Sequence, residues 1–434
     1  MAIRINSPLT LPSGVDLPNR LVKAAMTERL ADACNRVTER HVRLYRRWAE
    51  GGIGLQITGN VQVDRHNLEA PGNVVLDGPP DPEQAGMLAR WAEACKLAGG
   101  KVFMQLSHAG RQTQKMVNPT PDAPSAIPVD LPGGQFGRPR AMTEDDIQRL
   151  ITRFAGATRA AREAGFDGVQ IHAAHGYLLS QFLSPLANQR EDQWGGGLEN
   201  RARLLMDTLK AALSEAGPGF GVAVKLNSTD FQKGGFTQAD SMQVIEWLNP
   251  LGLDFIEISG GNYEQPRMMD LDGLQPVFEE GTAHSTRMRE AYFLDYAADV
   301  QARIDVPLMV TGGFRSRAGM NGALATGEAD LVGLGRPLCV DADAPADLLE
   351  GRCDTLQSWE KILRIGPGVL GPTSPLGLVK VLNGFGMQSW FYSQLHAMAD
   401  GRPVNRRLGV FRAFLKMNGL DARMARAYRA ALAD

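Results

Sequence analysis

Residues 168–177 read GVQIHAAHGY, a short apolar run that ends in two histidines and a tyrosine. A longer segment with helical periodicity, IQRLITRFAGATRAAREAG (147–165), precedes it. A continuous apolar run beside an amphipathic helix is typical of a parallel strand that is buried on both faces. The stretch therefore predicts one strand-and-helix unit, and the number of such units decides the fold.

Seven further apolar runs of this kind occur, and helical patterns separate most of them. The runs are LVKAAM (21–26), IGLQIT (53–58), KVFMQL (101–106), GVAVKL (221–226), DFIEIS (254–259), PLMVTG (307–312) and DLVGLG (330–335). Eight parallel strands, each followed by a helix, close a (β/α)₈ barrel, whereas a doubly wound sheet usually has fewer strands. We therefore predict an α/β fold of the TIM-barrel type.

Two stretches lie outside this repeat. Residues 107–146 are rich in proline and glycine, which predicts a long loop after strand three, and loops of this length are usually functional or mobile. From about residue 341 to the end, the second stretch is mainly helical in pattern. We expect a barrel domain over residues 1–345 and a helical C-terminal extension over residues 346–434, packed on the barrel or on a partner subunit.

The composition excludes several classes of function. The 434 residues carry a net charge of only −2, which gives no electrostatic reason to expect nucleic acid or a membrane surface as partner. The cysteines, Cys34, Cys95, Cys339 and Cys353, are too scattered for a zinc or iron–sulfur site and suit a reducing compartment. The N-terminus lacks an apolar leader segment. We expect a cytoplasmic enzyme with a small-molecule substrate; whether it forms a homo-oligomer stays open.

The carboxyl ends of the strands are where the active site of a barrel gathers. The last two strand ends carry Gly312 and Gly313 and then Gly335 and Arg336. Glycines allow backbone N–H groups to approach a phosphate closely, and arginine adds a bidentate positive partner. Tight turns alone are the alternative, but the arginine favours a phosphate site. A second glycine motif, GPGVLG (366–371), follows no predicted strand and is interpreted as a turn rather than a dinucleotide site.

His172, His175 and Tyr177 follow strand four. A metal site would need further ligands from other strands, and two histidines do not make one. Burial in the core is the second interpretation, and it must explain a histidine pair at a strand end with a tyrosine beside it. The third is that two N–H donors hold one oxygen atom while the tyrosine delivers a proton, which fits reduction of an activated double bond.

These residues lie in blocks that resemble the Old Yellow Enzyme family of FMN-dependent ene-reductases and NAD(P)H:flavin oxidoreductases. The most specific block is IHAAHGYLLSQFLSPLANQREDQWGGGLENRARLL (171–205). The segments LPNRLVKAAMT, QLSHAGRQT, VTGGF and LVGLGRP support it in the expected order. The resemblance covers about residues 5–345 and implies FMN at the carboxyl end of the barrel.

The resemblance implies a role for each site residue. Ala25 and Met26 line the flavin ring, Thr27 donates to its O4 atom, Asn60 lies near O4, Gln105 bonds the pyrimidine edge, Lys225 replaces the usual arginine near N1 and O2, and Gly312, Gly313, Gly335 and Arg336 hold the phosphate. His172 and His175 hold the substrate oxygen, and Tyr177 protonates the α-carbon.

The implied activity is reduction of the C=C bond of α,β-unsaturated carbonyl or similar electron-poor compounds, with NADH or NADPH as electron donor. Two alternatives stay open. One is a flavin-dependent oxidase, demethylase or dienoyl-thioester reductase on the same scaffold. The other is a metal-dependent TIM-barrel hydrolase.

Overall fold

A computed structural model describes residues 2–129, 131, 134–259 and 296–433 of the chain. Parallel strands pair in sequence order around a closed ring, in which the first strand contacts both the second and the last. The strands are β1 (Leu21–Lys23), β2 (Leu55–Ile57), β3 (Lys101–Ser107), β4 (Gly168–Ala173), β5 (Gly221–Asn227), β6 (Ile256–Ser259), β7 (Leu308–Thr311) and β8 (Leu331–Leu334). Each lies within or overlaps a predicted run, and the TIM-barrel prediction is confirmed.

The barrel interior is apolar at the end where the strands begin, the amino end. Its side chains include Val22, Leu55, Phe103, Phe255 and Met309, all buried. A hairpin that joins Leu9–Thr10 to Asp16–Leu17 packs Leu11, Val15 and Leu17 against this cluster and closes the amino end. Buried polar side chains of the described strands lie on the other side of this layer, toward the carboxyl end of the barrel.

Helices cover the outside of the barrel. They are α1 (Glu39–Glu50), α2 (Pro82–Cys95), α3 (Glu144–Glu163), α4 (Leu178–Leu183), α5 (Leu198–Ala216), α6 (Gln238–Leu248), α7 (Arg317–Thr326), α8 (Ala344–Glu350), α9 (Gly377–Ala399) and α10 (Val410–Ala433), and residues 296–301 are also helical. Local signals fix their ends: Thr143 accepts the Asp146 N–H at the start of α3, and Gly327 adopts the left-handed conformation after α7. The helical pattern REAYFLDYAADVQAR (289–303) also predicts a helix, which lies partly outside the described residues.

The long loop after β3 is ordered by short elements. It contains a 3₁₀ turn at Gly110–Gln112 and two short parallel strands, Asp122–Ala123 and Arg140–Ala141. The predicted loop is therefore present, and it ends where α3 begins.

The C-terminal extension packs against its own barrel. Helix α9 contacts α1 and the 3₁₀ turn Arg336–Cys339, and α10 packs along α9. Trp390, Phe391 and Tyr392 are buried, and the indole Nε1 of Trp390 donates to the carbonyl of Leu408 (2.9 Å). Helix α8 crosses residue 345, so the expected domain boundary stays a prediction. Among the described helices, none has the length and apolar character to span a bilayer.

The rejected GPGVLG motif forms a 3₁₀ turn, Gly368–Leu370, in agreement with its interpretation as a turn. The segment before it, WEKILRI, reads as a helix in the sequence but forms only the 3₁₀ turn Trp359–Lys361. No described strand leads into the motif, so it lacks the strand-and-helix context of a dinucleotide site.

Candidate active site

Polar side chains replace apolar ones at the carboxyl end of the barrel. Lys225 on β5 is level with His172 on β4 and Glu257 on β6, and Gln105 on β3 is level with Gln170 on β4. All five residues are buried, and Glu257 and Gln170 are fully so. Because buried polar groups need partners, this layer must satisfy its own hydrogen bonds or those of a ligand.

A continuous chain of hydrogen bonds runs through this layer. The Nζ of Lys225 donates to one oxygen of Glu257 (2.8 Å), and the Nε2 of Gln170 donates to the other (2.8 Å). The Nε2 of Gln105 donates to the Oε1 of Gln170 (2.7 Å). The chain leaves the Oε1 of Gln105 as an acceptor and leaves Lys225 with further N–H donors.

His172, His175 and Tyr177 are brought together as predicted. The ring centroids of His172 and His175 lie 5.1 Å apart, and those of His172 and Tyr177 lie 4.9 Å apart. The backbone N–H of Ala174 donates to Nδ1 of His172 (3.2 Å), so a neutral ring carries its proton on Nε2. Burial, and secondarily the Lys225 charge, lower the pKa of both histidines well below the usual value, which keeps both rings neutral.

His175 is held by contacts that the sequence does not indicate. Its backbone is left-handed (φ 61°), and its N–H donates to Oδ1 of Asn227 (3.0 Å). Its ring Nε2 lies 2.6 Å from Oγ of Ser259. His175 therefore offers its other ring nitrogen to a ligand, or exchanges Ser259 for the ligand.

Thr27 and Asn60 contact each other at the ends of β1 and β2. The hydroxyl of Thr27 donates to Oδ1 of Asn60 (2.9 Å), and Nδ2 of Asn73 donates to the same atom (3.2 Å). The backbone N–H of Ala70 donates to Oδ1 of Asn73 (2.7 Å), which fixes the orientation of that amide. Asn60 is thus left with Nδ2 as a donor toward a ligand, whereas Thr27 already spends its hydroxyl hydrogen on Asn60.

The structure also contains a buried ion pair, Lys23 with Glu28, whose residues were not among the predicted site residues. The Nζ of Lys23 lies 3.3 Å from Glu28, 3.0 Å from the Tyr45 hydroxyl and 2.8 Å from the carbonyl of Ile57. The N–H of Gly59 donates to Glu28 (3.1 Å). This network ties the loop after β1 to the loop after β2. A lysine inside the apolar run LVKAAM was the signal in the sequence.

The glycines after β7 and β8 form an open cradle. Gly312 (φ 121°) and Gly313 (φ 76°) have backbone conformations that favour glycine. Among the described residues, a Cβ on Gly312 would meet no atom within 4 Å, and one on Gly335 would meet only Sδ of Met26 at 3.8 Å. Thr311 pairs with Gly333, which places Gly313 beside Gly335, and Arg336 follows directly. This cradle fits a phosphate group, and Ala25 and Met26 lie half-buried at its side.

One cluster in the described part of the chain has the composition of a metal site. Ligand atoms of Asp64, His108 and Asp122 lie within 4.8 Å of one another. However, Nδ1 of His108 accepts the N–H of Gly110 (3.1 Å), so Nε2 carries the proton and cannot ligate. Arg153 pairs with Asp64 (2.5 Å) and Arg140 with Asp122 (2.7 Å). These contacts do not favour a metal, and His172 and His175 are not part of the cluster.

Comparisons with known proteins show the family to which the chain is similar. The NADH:flavin oxidoreductase / NADH oxidase family matches residues 4–355. The chain is 38% identical over 360 residues to the NADH-dependent flavin oxidoreductase iliE of Hypocrea jecorina, covering 79% of this chain and 88% of that protein. It is 38% identical over 362 residues to the protein of the same name from Neonectria sp., covering 79% of this chain but only 46% of that longer protein.

Solved structures of similar fold include two at 26% sequence identity. A complex of 2-naphthoyl-CoA reductase has a TM-score of 0.71 and covers 80% of this chain and 52% of its own. The old yellow enzyme homologue from Zymomonas mobilis has a TM-score of 0.67 and covers 81% of this chain and 94% of its own. The chain belongs to the NADH:flavin oxidoreductase / NADH oxidase family, the Old Yellow Enzyme family, and is an enzyme of that class.

Proposed function

We propose that the protein is an FMN-dependent NAD(P)H oxidoreductase that reduces the C=C bond of α,β-unsaturated carbonyl or similar electron-poor compounds. The observation that carries this proposal is the neutral His172, protonated on Nε2, next to the buried Tyr177. His172 can donate a hydrogen bond to an oxygen that gains negative charge, and Tyr177 can supply a proton to a carbon.

The residues of the barrel mouth fit a flavin mononucleotide. Gly312, Gly313, Gly335 and Arg336 would hold the phosphate, Gln105 and Lys225 the pyrimidine edge, and Thr27, Asn60, Ala25 and Met26 the O4 side and the ring. Gln105 offers an acceptor and Lys225 and Asn60 offer donors, which matches the alternating donors and acceptors along that edge of the flavin. A flavin bound there would supply hydride transfer from NAD(P)H to the substrate.

The protein's own groups act on the substrate oxygen and carbon. The Nε2–H of His172 donates to the carbonyl oxygen, and His175 adds a second donor once its bond to Ser259 is exchanged or its other nitrogen is used. Neutral donors in a buried site stabilise developing negative charge without first releasing a bound anion. The hydroxyl of Tyr177 delivers the proton to the α-carbon.

Colour and two half-reactions test the proposal. The purified protein should be yellow and should release FMN on heating. In the absence of oxygen, NADH or NADPH should bleach its colour. Adding 2-cyclohexenone should then restore the colour and yield the saturated ketone. A colourless protein with stoichiometric zinc would overturn the flavin assignment. Reoxidation by oxygen alone, with no product from any enone, would instead favour an oxidase.

A further inference from the structure

We propose that Glu257 is a positioning residue that sets both the charge and the hydrogen-bond polarity of the flavin pyrimidine site. The inference rests on the proposed function, because it takes Gln105 and Lys225 to be the residues that face the flavin. Glu257 itself lies behind them and contacts both through the chain of hydrogen bonds described above.

The charge part follows from the ion pair. Glu257 is fully buried, and its carboxylate lies 2.8 Å from Nζ of Lys225, whose side chain is only 4% exposed. In such surroundings the two charges are screened little by solvent, so the carboxylate largely cancels the field of the ammonium. Reduction adds negative charge to a flavin, and a cancelled cation stabilises that charge less than a free one. Glu257 therefore keeps the flavin more strongly reducing than Lys225 alone would allow.

The hydrogen-bond polarity of the site follows from the chain of hydrogen bonds that runs from Glu257 through Gln170 to Gln105. A carboxylate can only accept, so Gln170 must turn its Nε2 toward Glu257 and its Oε1 toward Gln105. Gln105 then has to donate to Gln170, which leaves its Oε1 facing the site. A flavin pyrimidine ring presents an N–H at N3, and this acceptor is complementary to it. The orientation of Gln105 is thus decided by a residue two hydrogen bonds away.

Glu257→Gln tests both effects, because it removes the charge of the side chain but keeps its shape. Lys225 donates, so the new amide should turn its oxygen to Lys225 and its NH₂ to Gln170. That choice reverses Gln170 and then Gln105, and the site presents a donor where the flavin also has a donor. We expect E257Q to bind oxidised FMN about 5- to 150-fold more weakly, because a mispaired buried donor costs about 1–3 kcal/mol. We also expect the midpoint potential to rise, because Lys225 loses its counter-charge.

The measurements are titration of apoprotein with FMN, followed by flavin fluorescence, and anaerobic redox titration against a dye of known potential. A tenfold shift in the ratio of the affinities for reduced and oxidised flavin corresponds to about 30 mV for two electrons. Asp254→Asn is the matched control. Asp254 is a buried carboxylate three positions earlier, at the amino end of the barrel, where it accepts the N–H groups of Val222 (2.7 Å) and Ser13 (3.0 Å). D254N should leave both the FMN affinity and the potential unchanged.

Gln170→Met provides a second route if E257Q does not fold. It keeps the Lys225–Glu257 pair and the volume of the side chain but removes the hydrogen bonds that link Glu257 to Gln105. We expect weaker FMN binding with an unchanged potential. Wild-type affinity in Q170M, or wild-type affinity and potential in folded E257Q, overturns the inference while the flavin assignment stands. A wild-type protein that binds no flavin overturns the proposed function and this inference together.

Discussion

The ring Nε2 of His396, near the end of α9, lies 2.9 Å from the backbone carbonyl oxygen of Glu28 in the loop after β1. The two residues are 368 positions apart in sequence. Since a carbonyl can only accept, the neutral imidazole carries its proton on Nε2. Glu28 is adjacent to Thr27, so the C-terminal extension directly supports the loop that would face the flavin. Arg29, next in the loop, pairs with Asp421 of α10 (2.8 Å) and lies over the Tyr392 ring.

A fall in pH should weaken the contact between His396 and Glu28 and lower the free energy of unfolding. Burial lowers the pKa of His396 to about 4, whereas a histidine in an unfolded chain titrates near 6.5. Between these values the unfolded chain binds a proton that the folded chain does not. The stability from this residue is therefore complete above about pH 6.5 and is lost as the pH falls toward 4, by up to about 1.4 kcal/mol per pH unit.

His396→Gln keeps a hydrogen-bond donor but removes the titrating group. The free energy of unfolding, measured with urea from pH 7 to pH 4.5, should fall less steeply in H396Q than in the wild type. Burial also lowers the pKa of His41, to about 3, and the pKa values of His172 and His175, so a residual slope is expected in the variant. Parallel pH profiles for the two proteins would show that His396 does not titrate as described.

Two neighbouring glycines should respond differently to alanine. A Cβ on Gly335 would lie at ordinary van der Waals distance, 3.8 Å, from Sδ of Met26, so G335A should keep its stability to within about 0.5 kcal/mol. The methyl group would nevertheless fill the proposed phosphate cradle, and we expect FMN to bind at least about tenfold more weakly. On Gly333 a Cβ would lie 2.0 Å from Oγ1 of Thr311, so G333A should cost about 1–3 kcal/mol of stability. Thermal unfolding of the apoproteins and FMN titration make the comparison; equal FMN affinity in G335A and wild type would place the phosphate elsewhere.

Arg336 should distinguish FMN from riboflavin. A charge-assisted hydrogen bond to a phosphate contributes about 1.5–3 kcal/mol, so Arg336→Gln should weaken FMN binding about 10- to 100-fold. Riboflavin lacks the phosphate, and its affinity should be the same in variant and wild type. Titration of each apoprotein with both flavins measures this difference. A similar loss for riboflavin would mean that Arg336 acts on the fold or on the ring and does not bind the phosphate.

The barrel was predictable because its strands are buried on both faces and therefore read as unbroken apolar runs. The same reasoning located Gly312, Gly335, His172 and Tyr177, since the carboxyl ends of parallel strands converge on one side of the barrel. Helix α4 was missed, because the six residues after Tyr177 are too short and too uniformly apolar to show helical periodicity.

The supporting residues could not be assigned partners from the sequence. Lys23, Lys225 and Glu257 each stand out as a charge within an apolar run, but the sequence does not show which residues they pair with. The pairing of Lys225 with Glu257 depends on the register between β5 and β6, and that of Lys23 with Glu28 depends on a turn after β1. Likewise, the contact between Ser259 and His175 depends on the left-handed backbone at His175.

Removing both histidine rings should slow one of the two half-reactions much more than the other. His172→Ala with His175→Ala deletes the donors for the substrate oxygen, and loss of one such donor typically slows a reaction about 10²- to 10³-fold. The variant should bind a phenol, which offers its oxygen to the same two donors, only weakly and should reduce enones slowly, while its bleaching by NAD(P)H changes less. Stopped-flow absorbance of the flavin separates the two steps. Wild-type enone turnover in the double variant would rule out the role assigned to the pair.

Tyr177→Phe should slow the same half-reaction for a different reason. The ring of Tyr177 is buried against His172, with centroids 4.9 Å apart, and phenylalanine preserves that packing while removing the hydroxyl proton. Loss of a positioned proton donor costs about 10²- to 10⁴-fold in rate, so reoxidation by an enone should slow while phenol binding persists. An acceptor that needs no protonation at carbon, such as a quinone, should reoxidise Y177F at the wild-type rate. Equal slowing with the quinone and the enone would mean that the hydroxyl positions the substrate or the flavin and does not supply the proton.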